Sequence, residues 1–245
     1  MQDLSTINYQ KYIPSPPLDE YVQAIWLAKQ PNNRQLLPFN ILSDCAASVV
    51  YNFSSSLTLE RGGGRANVDH NGVVIGPGKN LLKMTFQGPV NALGIHFLAS
   101  GGHVFFSQTM DVLANRFISG NGPLFSGAQA LTQQLIERQK SGDVQNILAW
   151  LEQQLLAELK EFKGHAQIRL SKLFKLLEEN PSYSLQILAD TLQVSVREVQ
   201  RIFKLYVGVT PKTYIRVNKI NNLKSRIVSN DFASLTELAI ESGYF

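Results

Sequence analysis

The stretch from Ser184 to Arg216, SLQILADTLQVSVREVQRIFKLYVGVTPKTYIR, constrains the fold of this chain more than any other segment. Its apolar residues recur at helical spacing in two short runs, which predicts two helices joined by a tight turn at Gln193 and Val194. Ser184 and Ser195 precede the two runs, where a serine hydroxyl can accept a hydrogen bond from an unpaired backbone N–H group. The segment therefore predicts a compact pair of capped helices.

The second helix of this pair has two different faces. One face is apolar and is expected to point inward, and the other carries Arg197, Gln200, Arg201 and Lys204. A short helix crossed by a polar, basic one is the arrangement of a helix-turn-helix, whose second helix enters the DNA major groove. Arginine can bond guanine and glutamine can bond adenine through two hydrogen bonds each, so we predict that Arg197, Gln200 and Arg201 read bases. The alternative is an ordinary amphipathic helix pair.

The same segment resembles the first helix-turn-helix of AraC-type transcription regulators. The family pattern joins a serine-capped recognition helix ending in R-x-F-K to the sequence G-x-[ST]-P-x-x-Y-[IL]-R. The matching positions here are Gln200, Arg201, Phe203, Lys204, Gly208, Thr210, Pro211, Tyr214 and Arg216. The resemblance covers about 80 C-terminal residues. It implies a bacterial, cytoplasmic, DNA-binding regulator, with double-stranded DNA and RNA polymerase as partners. The residues expected at the DNA backbone are Ser184, Ser195, Lys204, Thr210 and Lys212.

The charge distribution agrees with a DNA-binding C-terminal segment. Residues 1–164 contain 12 basic and 12 acidic residues, whereas residues 165–229 contain 11 basic and 4 acidic residues. A net charge of +7 on one segment attracts the phosphate backbone whatever the base sequence. The excess of positive charge thus coincides with the predicted helix-turn-helix.

The last twelve residues repeat an earlier segment at an offset of 50. SLTELAIESGYF, residues 234–245, matches SLQILADTLQVS, residues 184–195, at the capping serine and at core leucine and alanine positions. Gly243 occupies the place of the turn. We interpret this repeat as the opening helix of a second helix-turn-helix, and expect the given sequence to be part of a longer regulator. The alternative is a coincidental C-terminal helix.

The N-terminal half has the residue pattern of a β domain. LDEYVQAIWL, residues 18–27, is predicted as a short helix because its apolar residues fall on one side. Short apolar runs separated by Gly, Asn and Pro then predict a small sandwich or barrel that ends near Gly101. The Gly62–Arg65 loop is predicted as a hairpin tip or a linker. The predicted strands are Leu36–Ile41, Ser48–Phe53, Leu57–Glu60, Val73–Ile75, Leu82–Gln87 and Asn91–Phe97.

The segment VNALGIHFLASGGHVFF, residues 90–106, preceded by VVIGPGKN, resembles the cupin-like N-terminal domain of many AraC-type regulators. This resemblance implies an α+β chain: an N-terminal cupin-like β-barrel with flanking helices, followed by an all-α helix-turn-helix domain whose second unit is incomplete. We expect a sensor domain over residues 1–125, a helical linker over 126–163, and a DNA-binding domain over 164–245.

The chemistry-bearing residues favour binding over catalysis. The histidines, His70, His96, His103 and His165, lack the spacing of metal ligands. Trp26, Tyr51 and His96 could line a barrel cavity for a small-molecule effector or could be core residues. The sequence has no G-x-S-x-G motif and no paired carboxylates, so we expect neither an enzyme nor a cofactor or metal. The alternative is a cupin-type small-molecule-binding protein or metal enzyme with a vestigial DNA-binding domain.

Two further helices are predicted between these regions, over residues 128–140 and from the cap Asp143 to Phe162. The second has an apolar stripe from Val144 to Phe162 that either packs on the barrel or pairs with another subunit. Because related regulators dimerise here, we expect a homodimer through this helix, and a hinge at Lys163 and Gly164. Cys45 is the single cysteine, which fits a reducing cytoplasm, and no apolar run is long enough for a membrane span. The sequence predicts an effector-responsive DNA-binding regulator, most simply an activator.

Overall fold

The computed structural model describes residues 7–120, 128–161, 165–180, 183–232 and 234–241. Strands dominate its N-terminal part, and helices form its C-terminal part. The strands are β1 (Asn8–Tyr12), β2 (Val22–Gln30), β3 (Leu36–Ile41), β4 (Ser48–Asn52), β5 (Ser56–Arg61), β6 (Gly64–Val68), β7 (Val73–Ile75), β8 (Leu82–Gln87), β9 (Val90–Phe97) and β10 (Phe117–Ser119). The helices are α1 (Met110–Leu113), α2 (Ala128–Ser141), α3 (Val144–Glu161), α4 (His165–Glu179), α5 (Leu185–Thr191), α6 (Val196–Val207), α7 (Pro211–Val228) and α8 (Leu235–Glu241). Short 3-10 helices cover Leu18–Glu20 and Gly102–Phe105.

The strands form two antiparallel sheets that face each other. The six-stranded sheet has the order β1-β2-β9-β4-β7-β10, and the four-stranded sheet has the order β3-β8-β5-β6. Apolar side chains from both sheets, such as Val50 and Phe86, meet between them. Such pairs of sheets bury the inward residue of each alternating pair. The predicted α+β fold class, with a cupin-like β domain followed by a helical domain, is confirmed.

The predicted helix at residues 18–27 is wrong beyond its first turn. Only Leu18–Glu20 is helical, and the chain then continues as the nine-residue strand β2 between β1 and β9. Both faces of β2 are covered, so apolar residues such as Ile25 and Trp26 follow each other without polar alternation. A strand buried on two faces lacks the period of two that distinguishes a strand from a helix in sequence.

Three other strands extend the predicted β region. β1 lies in the proline-containing lead-in, β6 completes a hairpin with β5, and β10 pairs with β7. The hairpin turns at Gly62 and Gly63, both at positive φ, which confirms the predicted tip. The β region therefore continues beyond Gly101, because β10 returns to the sheet after α1.

The apolar stripe of α3 packs on the β domain. Asp143 caps this helix as predicted, since its carboxylate accepts a hydrogen bond from the Asn146 N–H group at 3.0 Å. Ile147, Leu151 and Leu155 are fully buried in one core with the outer face of the six-stranded sheet. The predicted dimer through this stripe is therefore corrected: these side chains are already covered within one chain and cannot also face a second subunit. Phe162 lies outside the described residues.

The C-terminal helices α4 to α7 enclose their own core. Leu173, Phe174, Ala189, Ile202 and Phe203 are buried there. Farther along, α8 begins at a serine that repeats the cap of α5: the Ser234 hydroxyl accepts from the Glu237 N–H group at 3.1 Å. The predicted hinge at Lys163 and Gly164 and the predicted turn at Gly243 lie outside the described residues.

Candidate DNA interface and ligand cavity

The helix pair α5–α6 has the local structure that the sequence predicts. The Ser184 hydroxyl accepts from the Ile187 N–H group at 3.2 Å, and the Ser195 hydroxyl accepts from the Glu198 N–H group at 3.1 Å. Gln193 takes a positive φ of 55° in the turn between the helices. The caps satisfy backbone donors that would otherwise lack partners, which fixes where each helix begins.

The inner face of α6 is anchored by an aromatic cluster. Phe203 stacks on Phe174 with ring centroids 5.8 Å apart, and Tyr214 of α7 contacts both rings. Val199 and Ile202 are buried beside them. Large aromatic side chains contribute strongly to a small core, so this cluster joins α6 to α4 and α7.

The outer face of α6 exposes the predicted base-reading residues. Arg197, Gln200 and Arg201 are all exposed, one or two turns from the start of the helix. No ion pair or hydrogen bond of the Arg197 or Gln200 side chain occurs within the described part of the chain. These two side chains can therefore bind a partner without first leaving another contact.

Arg201 differs because it is held by Glu198. Its Nε and Nη2 atoms both donate to the Glu198 carboxylate at 2.7 Å, and Arg169 of α4 lies 3.7 Å from the same carboxylate. The hydrogen bond from Arg201 holds the pKa of Glu198 below its ordinary value. To contact a base, Arg201 must exchange this carboxylate for the base edge.

The residues predicted at the DNA backbone fall into two groups. Ser184, Ser195 and Thr210 are N-caps of α5, α6 and α7, and Lys212 is exposed in the first turn of α7. The unpaired N–H groups at helix starts favour phosphate oxygens. Lys204 instead lies at the end of α6 near the β domain, with Nζ 3.9 Å from the Asp111 carboxylate.

The C-terminal half of α6 contacts the β domain. The Tyr206 ring meets the His103 ring edge-on, with centroids 5.0 Å apart. Gly208 ends α6 at a φ of 80°, as predicted. A Cβ atom at this position would lie 2.5 Å from the Met110 carbonyl oxygen and 2.5 Å from Pro77. Glycine is therefore required here both for the left-handed conformation and for the close approach of the two parts.

A cavity of about 890 Å³ lies between the two sheets of the β domain. This volume is in the range of small-molecule sites. The described residues that line it include apolar side chains from both sheets, a polar group at one end, and three residues of α7. The main apolar contributors are Ala24, Trp26, Ala28, Phe39, Val50, Ile75, Met84 and Phe86.

Of the three predicted effector residues, two line this cavity. Trp26 and His96 do so, and Gly94 leaves room for the indole, since a Cβ atom there would lie 2.2 Å from the Trp26 ring. The prediction for Tyr51 is wrong. Successive residues of a strand point to opposite faces, so Val50 faces the cavity and Tyr51 is buried on the side of α3.

The polar end of the cavity contains a chain of hydrogen bonds centred on His96. Its Nδ1 atom is 2.6 Å from the Ser48 hydroxyl, and its Nε2 atom is 2.6 Å from the Asp44 carboxylate. Burial would raise the pKa of Asp44, but His96 outweighs that effect and holds it below the ordinary value. Asp44 and Ser48 were missed in the sequence because they come together with His96 only through the pairing of β4 with β9.

The helix α7 closes one side of the cavity. Asn218, Asn221 and Lys224 line it, and Asn221 Nδ2 donates to the Ser43 carbonyl at 2.8 Å. The cavity thus borders both the β domain and the helix that follows α6. Within the described residues no cluster of three metal-binding side chains occurs. No described helix meets the length and hydropathy of a membrane span.

The described chain thus combines a β domain that has an internal cavity with a helix pair that has a basic outer face. Residues 10–119 match a family described as Domain of unknown function (DUF6597). The XylDLEGF operon transcriptional activator 3 of Pseudomonas putida is 32% identical over 78 residues, which are 30% of this chain and 24% of that protein. The matched segment thus spans about a quarter of the length of this relative.

Two solved structures resemble the chain over most of its length. ToxT from Vibrio cholerae has a TM-score of 0.45 at 10% identity, covering 96% of this chain and 88% of that one. The AraC-like transcriptional activator CuxR has a TM-score of 0.30 at 12% identity, covering 89% and 87%. The resemblance to transcription regulators that the sequence predicts is supported by the match to the operon activator of Pseudomonas putida.

Proposed function

We propose that this protein is a sequence-specific DNA-binding regulator of transcription, acting as an activator that responds to a small molecule. The observation that carries the proposal is the outer face of α6, where Arg197, Gln200 and Arg201 stand exposed on a helix fixed by two serine caps. In this role Arg197 and Gln200 contact base edges directly, and Arg201 does so after releasing Glu198.

The phosphate contacts would surround this reading face. The starts of α5, α6 and α7 present N–H groups near Ser184, Ser195 and Thr210, and Lys212 adds a positive charge. Lys204 would join them once its contact with Asp111 opens. Because phosphate contacts release counterions, binding should weaken steeply as salt rises.

The small-molecule response would arise at the cavity. Its lining includes Asn218, Asn221 and Lys224 of α7, so a bound molecule would contact the DNA-binding unit as well as the β domain. A ligand that prefers one arrangement of the two parts shifts the population toward it. We therefore assign effector binding to the space between Trp26, His96 and α7. Contact with RNA polymerase, and a homodimer through a surface other than the α3 stripe, remain predictions from the family resemblance.

The test is to select preferred sequences from random double-stranded DNA and then measure binding to the selected and to scrambled duplexes by fluorescence anisotropy at several salt concentrations. We expect tighter binding to the selected duplex and a linear fall of log affinity with log salt. The control Arg34→Ala, an exposed site in the β2–β3 turn, should bind like the unmodified protein. Failure to enrich any sequence, with no affinity for duplex DNA, would contradict the proposal.

A further inference from the structure

The end of β5 places a buried guanidinium at the wall of the cavity. Arg61 is only 8% exposed and lines the cavity. Its Nη2 atom donates to the Gly76 carbonyl at 2.6 Å, and its Cζ atom lies 5.5 Å from the centre of the Phe117 ring. Gly78 leaves room for it, since a Cβ atom there would be 3.1 Å from Cζ. The Gly76 carbonyl and the Phe117 ring hold the guanidinium in a fixed position.

No carboxylate of the described residues neutralises this guanidinium. Asp44, on the cavity wall, directs one oxygen to His96 and the other to the Ala46 N–H group. Glu60, the preceding residue, lies within ion-pair distance of Lys83 and Arg65 on the outside of the sheet. The Nε atom of Arg61 is buried without a hydrogen-bond partner among these residues. A buried charge without a partner is costly, which points to a partner from outside the chain.

The rest of the cavity favours an apolar body on that partner. Phe39, Phe86 and Met84 form its wall on the four-stranded sheet, and Trp26 and Val50 form the wall opposite. We propose that the cavity binds a small amphipathic carboxylic acid, with the carboxylate on Arg61 and the apolar body between the two sheets. This inference rests on the effector role proposed above and assigns the chemical class of the effector.

The geometry favours a carboxylate over other ligand classes. A guanidinium forms charge-assisted hydrogen bonds to a carboxylate, and one guanidinium balances one negative charge. A neutral apolar molecule would fill the cavity but leave Arg61 without a counter-charge. Lys224 also lines the cavity, but it is a residue of α7, and Arg61 belongs to the β domain itself.

The test uses matched acids and amides of the same shape. Octanoate is compared with octanamide, and 3-phenylpropanoate with 3-phenylpropanamide, by isothermal titration calorimetry on the full chain. We expect at least one acid to bind with a Kd at least tenfold below that of its amide. Arg61→Met should lose at least tenfold in acid affinity while its amide affinity changes less than about threefold. Lys224→Met serves as the comparison and should lose less acid affinity than Arg61→Met.

Stability separates a ligand role from a structural one. Methionine of similar volume removes an uncompensated charge, so Arg61→Met without ligand should unfold at the same or a higher urea concentration than the unmodified protein. A marked fall in the midpoint, with unchanged acid binding, would make Arg61 a structural residue and overturn the proposal. If this variant does not fold, the acid and amide pairs on the unmodified protein decide.

Equal binding of acid and amide, or no binding of either at millimolar concentration, would also overturn the carboxylate assignment. DNA binding measured on the same preparation shows whether a negative result contradicts the ligand class or the proposed function. If the protein binds its selected duplex but does not distinguish acid from amide, only the ligand class is wrong. If it binds no duplex, the proposed function itself is wrong.

Discussion

The two faces of the six-stranded sheet come from the same strands but are filled differently. On the face toward α3, large side chains such as Tyr51 and Phe97 meet Leu151 and Leu155 in a closed core. On the face toward the four-stranded sheet, the same strands place Ala24, Ala28, Gly94 and Ser48, and a cavity of about 890 Å³ is left. Small residues on the cavity face of β2, β4 and β9 thus leave space beside Trp26, whereas the face toward α3 is filled.

This difference separates stability from binding within one sheet. Close packing gives a core its cohesion, and any loss of volume there leaves a void. Small residues on the opposite face make fewer packing contacts, but they leave space next to α7. The packed face should therefore tolerate change poorly, and the cavity face should tolerate changes of volume while altering ligand binding.

The largest expected effect is at the centre of the packed face. Leu151→Asp buries a charge at a position that is fully covered by the β domain, so it should lower the free energy of unfolding by about 4 kcal/mol or more and leave much of the protein unfolded. Urea unfolding followed by circular dichroism measures this loss.

Ala149→Asp is the matched control, because Ala149 is exposed on the same helix. Its free energy of unfolding should stay within roughly 0.5 kcal/mol of the value for the unmodified protein. If Leu151→Asp instead gave a folded monomer from a dimeric parent, α3 would be a subunit interface after all, and the packed face would not be a core.

A smaller effect on the packed side should depend on pH. His103 lies where the second 3-10 helix meets α3 and α6, and burial lowers its pKa from 6.5 to about 4, against a hydrogen bond to the Ser100 backbone. Between these values the unfolded chain binds a proton and the folded chain does not, so stability falls as pH drops from 6.5 toward 4. The gap corresponds to roughly 3 kcal/mol.

His103→Leu should remove this part of the pH dependence, whereas the exposed His70→Gln should keep it. Denaturant unfolding at pH 7, 6, 5 and 4 compares the three proteins. If the free energy of unfolding changed with pH to the same extent in His103→Leu and in the unmodified protein, the pKa of His103 would not be lowered in the folded state.

The smallest pair of effects contrasts two neighbours on β4. Val49 faces the packed side and Val50 the cavity, and both are buried. Val50→Ala loses two methyl groups next to existing space and should cost about 1.5 kcal/mol. Val49→Ala also opens a void in a closed core, so it should cost about 1 kcal/mol more. Equal losses at the two sites would break the distinction between the faces.

The sequence was sufficient for features that depend on neighbours along the chain. The caps Ser184, Ser195 and Thr210 and the end of α6 at Gly208 are all local, and all are confirmed. The strands at residues 36–41, 73–75 and 82–87 are found at their predicted bounds, because turn residues delimit them.

Features that depend on pairing across the fold were missed or misplaced. The helical interpretation of β2 failed because both faces of that strand are covered. Tyr51 was grouped with Trp26 and His96, although the side to which a strand residue points is fixed only by its register. The approach of Lys204 to Asp111 and the contribution of Asn221 to the cavity depend on how the helices meet the β domain, for which no local pattern exists.

Arg197→Ala tests most directly whether the outer face of α6 reads DNA sequence, as we propose. Binding of this variant is measured by anisotropy on the selected duplex and on a scrambled duplex, with Lys212→Ala as a phosphate-contact control. We predict a loss of about 1–3 kcal/mol on the selected duplex alone, whereas Lys212→Ala should weaken binding to both duplexes alike. An equal loss for Arg197→Ala on both duplexes, or no loss on either, would contradict the assignment of α6 as the reading helix.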